Sequence, residues 1–275
     1  MSSVTCHLMG GLGNQLFQIF TTMEYAFKNG YEFVFTDETV LNTGISRKTY
    51  WNSFLGCLKA HTSKINNSKF NFKVYKEPDF TYHDLPDNGN DIKLAGYFQS
   101  PKYFSEYCSD IRDYLEIDDC CESTKSKYGQ YIGDVALHFR IGDFVNHKEH
   151  PVMPVEYYVR ALQHIIDTDK SVKRIIVFYQ PCDKLLVEEK VQQLKQLKLF
   201  ELEYIMVSTD VEDWEQMLLI SLCNHKVIAN STFSWWGAYL GKGEGIICYP
   251  ELWFGTDIDT KDLFPDHWAK IPLKK

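Results

Sequence analysis

Short apolar runs alternate with helical patterns along most of the chain. Residues 4–9 suit a strand, and the turn Gly10-Gly11-Leu12-Gly13 follows. From 14 to 29, Leu16, Phe17, Phe20, Met23, Ala26 and Phe27 recur at helical spacing, with Gly30 as the stop. Residues 32–36 (EFVFT) read as a second strand, so the chain opens on a β-turn-α-β unit, which favours a parallel sheet. The stretch 37–86 mixes aromatics with Asn, Ser and Lys and offers no clean period. Order returns with a strand at 92–98, then Ser100-Pro101 as a cap and first-turn pair opening a helix to about 115. The polar segment 118–130 reads as a linker.

Beyond it the rhythm is regular. Strands are predicted at 135–139, 174–179, 204–207, 226–229 and 245–249, with helices at about 154–167, 184–197, 212–223 and 231–241. Strands alternating with helices of this length build an open α/β sheet. Two such sheets are expected, in domains 1–125 and 126–275, and the last segment can pack back on the first half.

Composition supports this division. A chain of 275 residues suggests two domains at roughly 150 residues each. With 44% apolar and 15% aromatic residues there is ample core material. The 29 basic and 37 acidic residues give a net charge of −8, without a Lys/Arg block, which argues against a general binder of nucleic acid or anionic lipid. An anionic ligand must therefore be held by a local site. No apolar run approaches the roughly 18–20 residues of a membrane span, and the start lacks the pattern of a secretory signal. The eight cysteines, with no Cys-x-x-Cys spacing, read as reduced thiols, the vicinal Cys120-Cys121 included. The expectation is a soluble, cytoplasmic protein in which the sequons at Asn66 and Asn230 go unused.

Three strand-to-helix segments carry candidate chemistry. In Gly10-Gly11-Leu12-Gly13-Asn14-Gln15 the glycines let the backbone approach a ligand at a helix N-terminus, and Asn14 and Gln15 set two amides at the mouth of the turn. A purely structural tight turn explains the glycines equally well. A dinucleotide site is a rival, since Asp37 lies about 20 residues on, but Leu16 occupies the place of the third glycine. The second segment, His138-Phe139-Arg140-Ile141-Gly142-Asp143, follows a strand, and Arg140 offers a fork of donors suited to a diphosphate. Its bland alternative is a structural His–Arg–Asp network, and His147 and His150 fit no common zinc spacing. In the third, Asn230, Ser231, Thr232 and Ser234 precede and open a helix, more polar groups than one cap requires, while Trp235 and Trp236 are most simply packing residues. The Asp-x-Asp pairs at 167–169 and 257–259 do not end apolar strands, and read as solvated turns and not a metal site.

Taken together, these segments resemble the inverting α-1,2-fucosyltransferases. The resemblance rests on residues 10–18 (GGLGNQLFQ), Gly96-Tyr97-Phe98-Gln99-Ser100 with Lys102-Tyr103-Phe104, and the His-x-Arg-x-Gly-Asp motif at 138–143. His150-Pro151 with Glu156-Tyr157-Tyr158, and residues 227–238 (VIANSTFSWWGA), complete a series in family order over nearly the whole chain. It implies a GT-B-like fold, two Rossmann-like parallel-sheet halves facing across a cleft. It also implies GDP-fucose as donor, the 2-hydroxyl of a galactose-type sugar in a glycan or oligosaccharide as acceptor, inversion, and no metal or other cofactor. Arg140 is implied to contact the donor diphosphate, Asn14 to lie near the donor sugar and phosphate, and Ser231, Thr232 and Ser234 to share the diphosphate pocket. Gly11, Gly13, Gln15 and Asn230 complete the expected donor-binding set.

The acceptor hydroxyl must lose a proton, for which Asp143 and His138 stand in motif position, with Asp37 or another carboxylate as alternatives. One departure is Ile141, where the family usually has a second arginine; either a cation is lost from the pocket or the position faces the core. The donor can therefore be another nucleotide-linked sugar, and a catalytically silent carbohydrate-binding protein is the reading from outside enzymes. The aromatic-rich stretch 37–86 is the expected acceptor surface.

Overall fold

The computed structural model describes residues 2–42, 45–64, 71–87, 89–142, 149–197 and 201–273. The chain forms two compact units, Met1–Cys120 with Asp259–Pro265, and Cys121–Ile258 with Asp266–Lys275.

In the first unit β1 (Ser3–Cys6) is buried along its whole length, as the central strand of a parallel sheet must be. Helix α1 (Leu12–Asn29) follows and ends on Gly30 in the left-handed conformation. The second strand is split into β2 (Glu32–Phe33) and β3 (Phe35–Thr36). Two small pairings, β4 (Val40–Leu41) with β5 (Arg47–Lys48) and β3 with β6 (Thr62–Ser63), lie in the region without period. That region also holds β7 (Lys73–Lys76), which joins β8 (Ile92–Ala95) to complete an all-parallel sheet of order β2-β1-β8-β7.

Two expectations change here. The helix foreseen from 101 to 115 is a capped 3₁₀ turn, Pro101–Tyr103, followed by a short α2 (Cys108–Tyr114). Ser100 caps the first by accepting from Lys102 N at 3.2 Å. The Glu24 carboxylate, from α1, accepts from Glu106 N and Tyr107 N at 3.2 and 2.8 Å, a tertiary cap that starts α2 late. The foreseen linker is largely α3 (Ile117–Tyr128), with Ile117, Cys121 and Thr124 buried at helical spacing.

The second unit is built on β9 (Val135–His138), α4 (Val155–Thr168), β10 (Arg174–Phe178), α5 (Lys184–Gln196), β11 (Glu203–Met206), α6 (Asp213–Leu222), β12 (His225–Val227), α7 (Thr232–Tyr239), β13 (Ile247–Pro250) and β14 (Ala269–Ile271). The sheet order β11-β10-β9-β12-β13-β14 is parallel throughout. Numbered by appearance, that is 3-2-1-4-5-6, the doubly wound order, with the reversal between β9 and β12. Period-two alternation assigns the faces. Val135, Leu137, Ile175 and Val177 join Tyr157, Leu162 and Val187 in one core, while Ala136, Ile176 and Phe178 join Leu219 and Ile220 in the other.

All eight cysteines are free thiols, and burial pushes Cys6 and Cys248 up to about 12. Among the described residues no helix is long and apolar enough to cross a membrane.

Candidate active site

Ligands of open α/β sheets bind outside the carboxyl ends of the strands, where the strand order reverses. In the second unit that point lies between β9 and β12. The register Val227↔Leu137 sets the residues after both strands side by side, and the ring of Phe233, in the first turn of α7, lies 5.5 Å from that of His138. The arginine-bearing and serine-rich segments, about 90 residues apart in sequence, are thus brought together.

His138 is 2% exposed, and its Nδ1 is buried without a hydrogen-bond partner among the described residues. Burial, reinforced by the nearby Arg140 charge, lowers its pKa to about 3. The imidazole is therefore neutral at physiological pH, and its buried surroundings disfavour taking up a proton. Arg140 follows, half-buried. The alternation of β9 then carries on past its end: Phe139 and Ile141 both enter the core that Leu137 joins. Position 141 therefore faces the core, and Ile141 is an ordinary packing residue there. Asp143 lies outside the described residues, as do His147 and the sequon at 66–68.

The α7 start is more differentiated than its composition suggests. Ser231 is the N-cap, and its hydroxyl makes no capping bond. Thr232 is half-buried beside it. Ser234, wholly buried, directs its hydroxyl at the carbonyls of Ala229 and Ser231 at 3.4 and 3.2 Å, which holds the turn. Asn230 is 3% exposed and donates through Nδ2 to Pro151 O and Trp253 O at 3.0 and 3.1 Å, tying two loops together. Trp235 and Trp236 are core residues, each 0% exposed.

Supports beneath the site explain Glu156-Tyr157-Tyr158. Tyr157 Oη donates to Ile228 O at 2.6 Å, and Tyr158 Oη to His138 O at 3.3 Å. Each tyrosine thus fixes the end of one strand flanking the reversal. Asp183, absent from the sequence-based set, is 1% exposed in a turn after β10 and accepts from Ile141 N at 3.3 Å. Its place beyond a strand's carboxyl end is the signal that would have found it.

In the first unit the equivalent place lies after β1 and β8. Gly10 has φ of +78°, and a Cβ there would overlap Asn14. Gly11 is different: its backbone is extended, and a Cβ would meet nothing within 4 Å. Open space therefore lies in front of Gly11, at the start of an 18-residue helix with no acidic residue in its first turn. Gly13 is buried in that turn. Gln15 is 0% exposed and donates to Gly10 O and Lys48 O, both at 3.0 Å, so it braces the glycine turn from behind. Asn14 is half-buried, and its Oδ1 accepts from Gln99 Nε2 at 3.1 Å, which orients the carboxamide. The two motifs of this unit meet in that bond. Buried polar atoms are nearly always paired, yet Gln15 Oε1, Gln99 Oε1, His138 Nδ1 and Asn230 Oδ1 lack a partner among the described residues, all in these segments.

Three of the Asp-x-Asp carboxylates are engaged by protein groups, and Asp169 also pairs with His225 at 3.1 Å. Asp167 accepts from Gln163, Asp169 from Ser171, and Asp259 from Lys261 N.

Two parallel α/β units of this kind are the architecture of the GT-B class of nucleotide-sugar transferases. The model of glycosyl transferase family 11 matches residues 2–271, and the chain belongs to that family. It is accordingly a glycosyltransferase, with a nucleotide-sugar donor and a glycan acceptor. An O-antigen biosynthesis glycosyltransferase, WbnK, of Escherichia coli is 25% identical, over 96% of this chain and 99% of the relative. An α-1,2-colitosyltransferase of Escherichia coli is 24% identical, over 98% and 99%. A galactoside 2-α-L-fucosyltransferase of Caenorhabditis elegans is 21% identical, over 96% and 78%. Among solved structures, a mutant of Arabidopsis thaliana FUT1 in complex with GDP has a TM-score of 0.50 at 12% identity, covering 98% of this chain and 76% of that one, and shares the fold.

Proposed function

We propose that the protein transfers L-fucose from GDP-fucose to the 2-hydroxyl of a galactose-type acceptor sugar, with inversion and without a metal. The observation that carries this reading is that the segment bearing Arg140 and the α7 start follow neighbouring strands at the β9/β12 reversal, where the rings of His138 and Phe233 meet. There a fork of cationic donors, the Ser231 hydroxyl and the first N–H groups of a helix can neutralise a diphosphate. In the reaction the acceptor oxygen bonds to the anomeric carbon on the face opposite the phosphate. The bond from that carbon to the phosphate oxygen breaks, and its electron pair leaves with GDP. The hydroxyl proton passes to a carboxylate, a role we assign to Asp143 from its motif position, since burial disfavours protonation of His138. In the first unit, we assign the open space before Gly11 and the Asn14 carboxamide to substrate binding. Gln15, Asn230 and Ser234 position these groups through the bonds described above.

A second reading changes only the donor. The similarity to a colitosyltransferase supports a different nucleotide-linked deoxysugar. One experiment separates the two: GDP or UDP release by the purified protein with GDP-fucose and a panel of other GDP- and UDP-sugars, in chelator. Slow hydrolysis needs no acceptor. GDP release from GDP-fucose supports the first reading, release from another donor supports the second, and donor binding without release indicates a silent binder.

The open space before Gly11 gives a further expected result. In Gly11→Ala the added methyl meets no protein atom, so the melting temperature should hold. The KM for GDP-fucose should rise roughly tenfold, about 1.4 kcal/mol. An unchanged KM would mean that no substrate approaches this turn.

A further inference from the structure

We propose that Glu77 is a positioning residue of the transferase site, fixing the turn at 96–99 that delivers Gln99 to the Asn14 carboxamide. The inference rests on the reading of Asn14 as a substrate-facing group.

Glu77 is the first residue after β7, at the carboxyl end of the edge strand, and its N–H still donates to Ala95 O at 3.0 Å. Its carboxylate accepts from Tyr97 N at 2.7 Å through Oε2, and from Phe98 N at 3.0 Å through both oxygens. Two successive amides converging on one anion demand an unusual backbone. Phe98 supplies it, with φ of +52°, a left-handed conformation that is strained for a bulky residue. Burial anchors its ring, packed edge-on to Tyr103 with centroids 5.2 Å apart. Gly96 completes the fit, because a Cβ there would overlap the Glu77 side chain. The next residue along is Gln99, 6% exposed, whose Nε2 orients Asn14. Remove the anion and the Tyr97 and Phe98 amides lose the acceptor that holds Phe98 left-handed; the turn relaxes, and the donor that orients Asn14 moves with it.

Glu77 forms no ion pair with a lysine or arginine among the described residues. Burial pushes its carboxyl up to about 7, with Asp79 adding to the effect, against the two backbone N–H bonds and a smaller pull from His83. Tyr75 and Tyr103 are its other titratable neighbours, and Asp79 is itself paired with His83 at 3.1 Å. As pH falls through about 7 the carboxylate takes a proton and stops serving both amides. Activity that needs the ordered turn is lost on the acid side and kept on the alkaline side.

The test measures kcat and KM for GDP-fucose hydrolysis from pH 5.5 to 9 in wild type, Glu77→Gln, His83→Gln and Asn14→Ala, with a melting temperature for each. Wild type should show an acid limb near pH 7. Glu77→Gln should lose roughly tenfold in kcat at pH 8 with little change in KM, and its profile should be flat, near the acid-side value of wild type. His83→Gln should keep the limb. Amide exchange at Tyr97 and Phe98 should quicken in Glu77→Gln. The proposal is overturned if Asn14→Ala is impaired while Glu77→Gln keeps wild-type kcat and limb. It is equally overturned if Glu77→Gln loses activity only in step with its melting temperature. Wild type inert towards every nucleotide sugar, or Asn14→Ala fully active, overturns the underlying reading of the site instead, and this inference with it.

Discussion

Arg140→Ala is expected to lower GDP release from GDP-fucose by about 10²–10³-fold, the scale seen when one preorganised donor to a developing negative charge is removed. The diphosphate gains charge as the bond to the anomeric carbon breaks, so a guanidinium at its oxygens matters more in the transition state than in the ground state. Ground-state GDP binding should weaken less, by about 1.5–3 kcal/mol, the range for a hydrogen bond to a charged group. Turnover should therefore fall further than affinity. Arg140→Lys keeps the charge but loses the planar fork, and should fall between the two. Calorimetric titration with GDP, beside single-turnover hydrolysis, measures both quantities. If Arg140→Ala binds GDP as wild type does and turns over normally, the diphosphate is not held at the β9/β12 reversal. The expected stability change is small, because Arg140 is only half-buried while its neighbours Phe139 and Ile141 carry the packing.

How legible this was in the sequence depends on which face of each element is buried. Strands β9 and β10 are covered on both sides, so they read as unbroken apolar runs and were predicted nearly to the residue. Strand β7, with the sequence KVYK, is an exposed edge; its lysines blunt the edge and also conceal the strand. Helix α3 was concealed in another way. Its buried stripe is Ile117, Cys121 and Thr124, only one of them strongly apolar, so composition suggested a linker. The late start of α2 depends on the Glu24 carboxylate, more than 80 residues earlier in the chain.

The site divides along the same line. Segments whose chemistry is local, such as the glycine turn and the serine-rich helix start, announce themselves through residue type and spacing. What each residue does within them is set by distant partners. Ser231 and Ser234 look alike in sequence, yet one hydroxyl makes no capping bond while the other is spent on two carbonyls. The parity of β9 decides Ile141, sending it inward with Phe139 and so settling whether position 141 belongs to the pocket. Asp183 and Gln99 act over separations of 42 and 85 residues, which no spacing rule reveals.

Trp235→Ala should be the most destabilising single change near the site, at about 3–5 kcal/mol for truncating a fully buried tryptophan. The indole is 0% exposed, stacked on Tyr239 at 4.7 Å and 17°, and packed against Trp236 at 5.2 Å and Trp268 at 5.5 Å. Removing it empties the centre of this cluster, and three large rings cannot close the gap without leaving their own contacts. The loss reaches function because α7 begins at Thr232, directly after Ser231, so the packing of Trp235 holds the helix start against the end of β9. Urea unfolding followed by circular dichroism should show the midpoint of the second unit falling in Trp235→Ala. Adding GDP at about 100 times its dissociation constant should return about 2.7 kcal/mol by mass action, if the ligand binds only the folded unit. Trp235→Phe keeps part of the stack and should lose less. A midpoint that GDP raises in wild type and in Trp235→Ala alike would place the nucleotide on the unit that α7 belongs to. An unmoved midpoint in Trp235→Ala would mean that the aromatic cluster does not hold the helix, and that the α7 start is fixed instead by the Ser234 and Asn230 bonds.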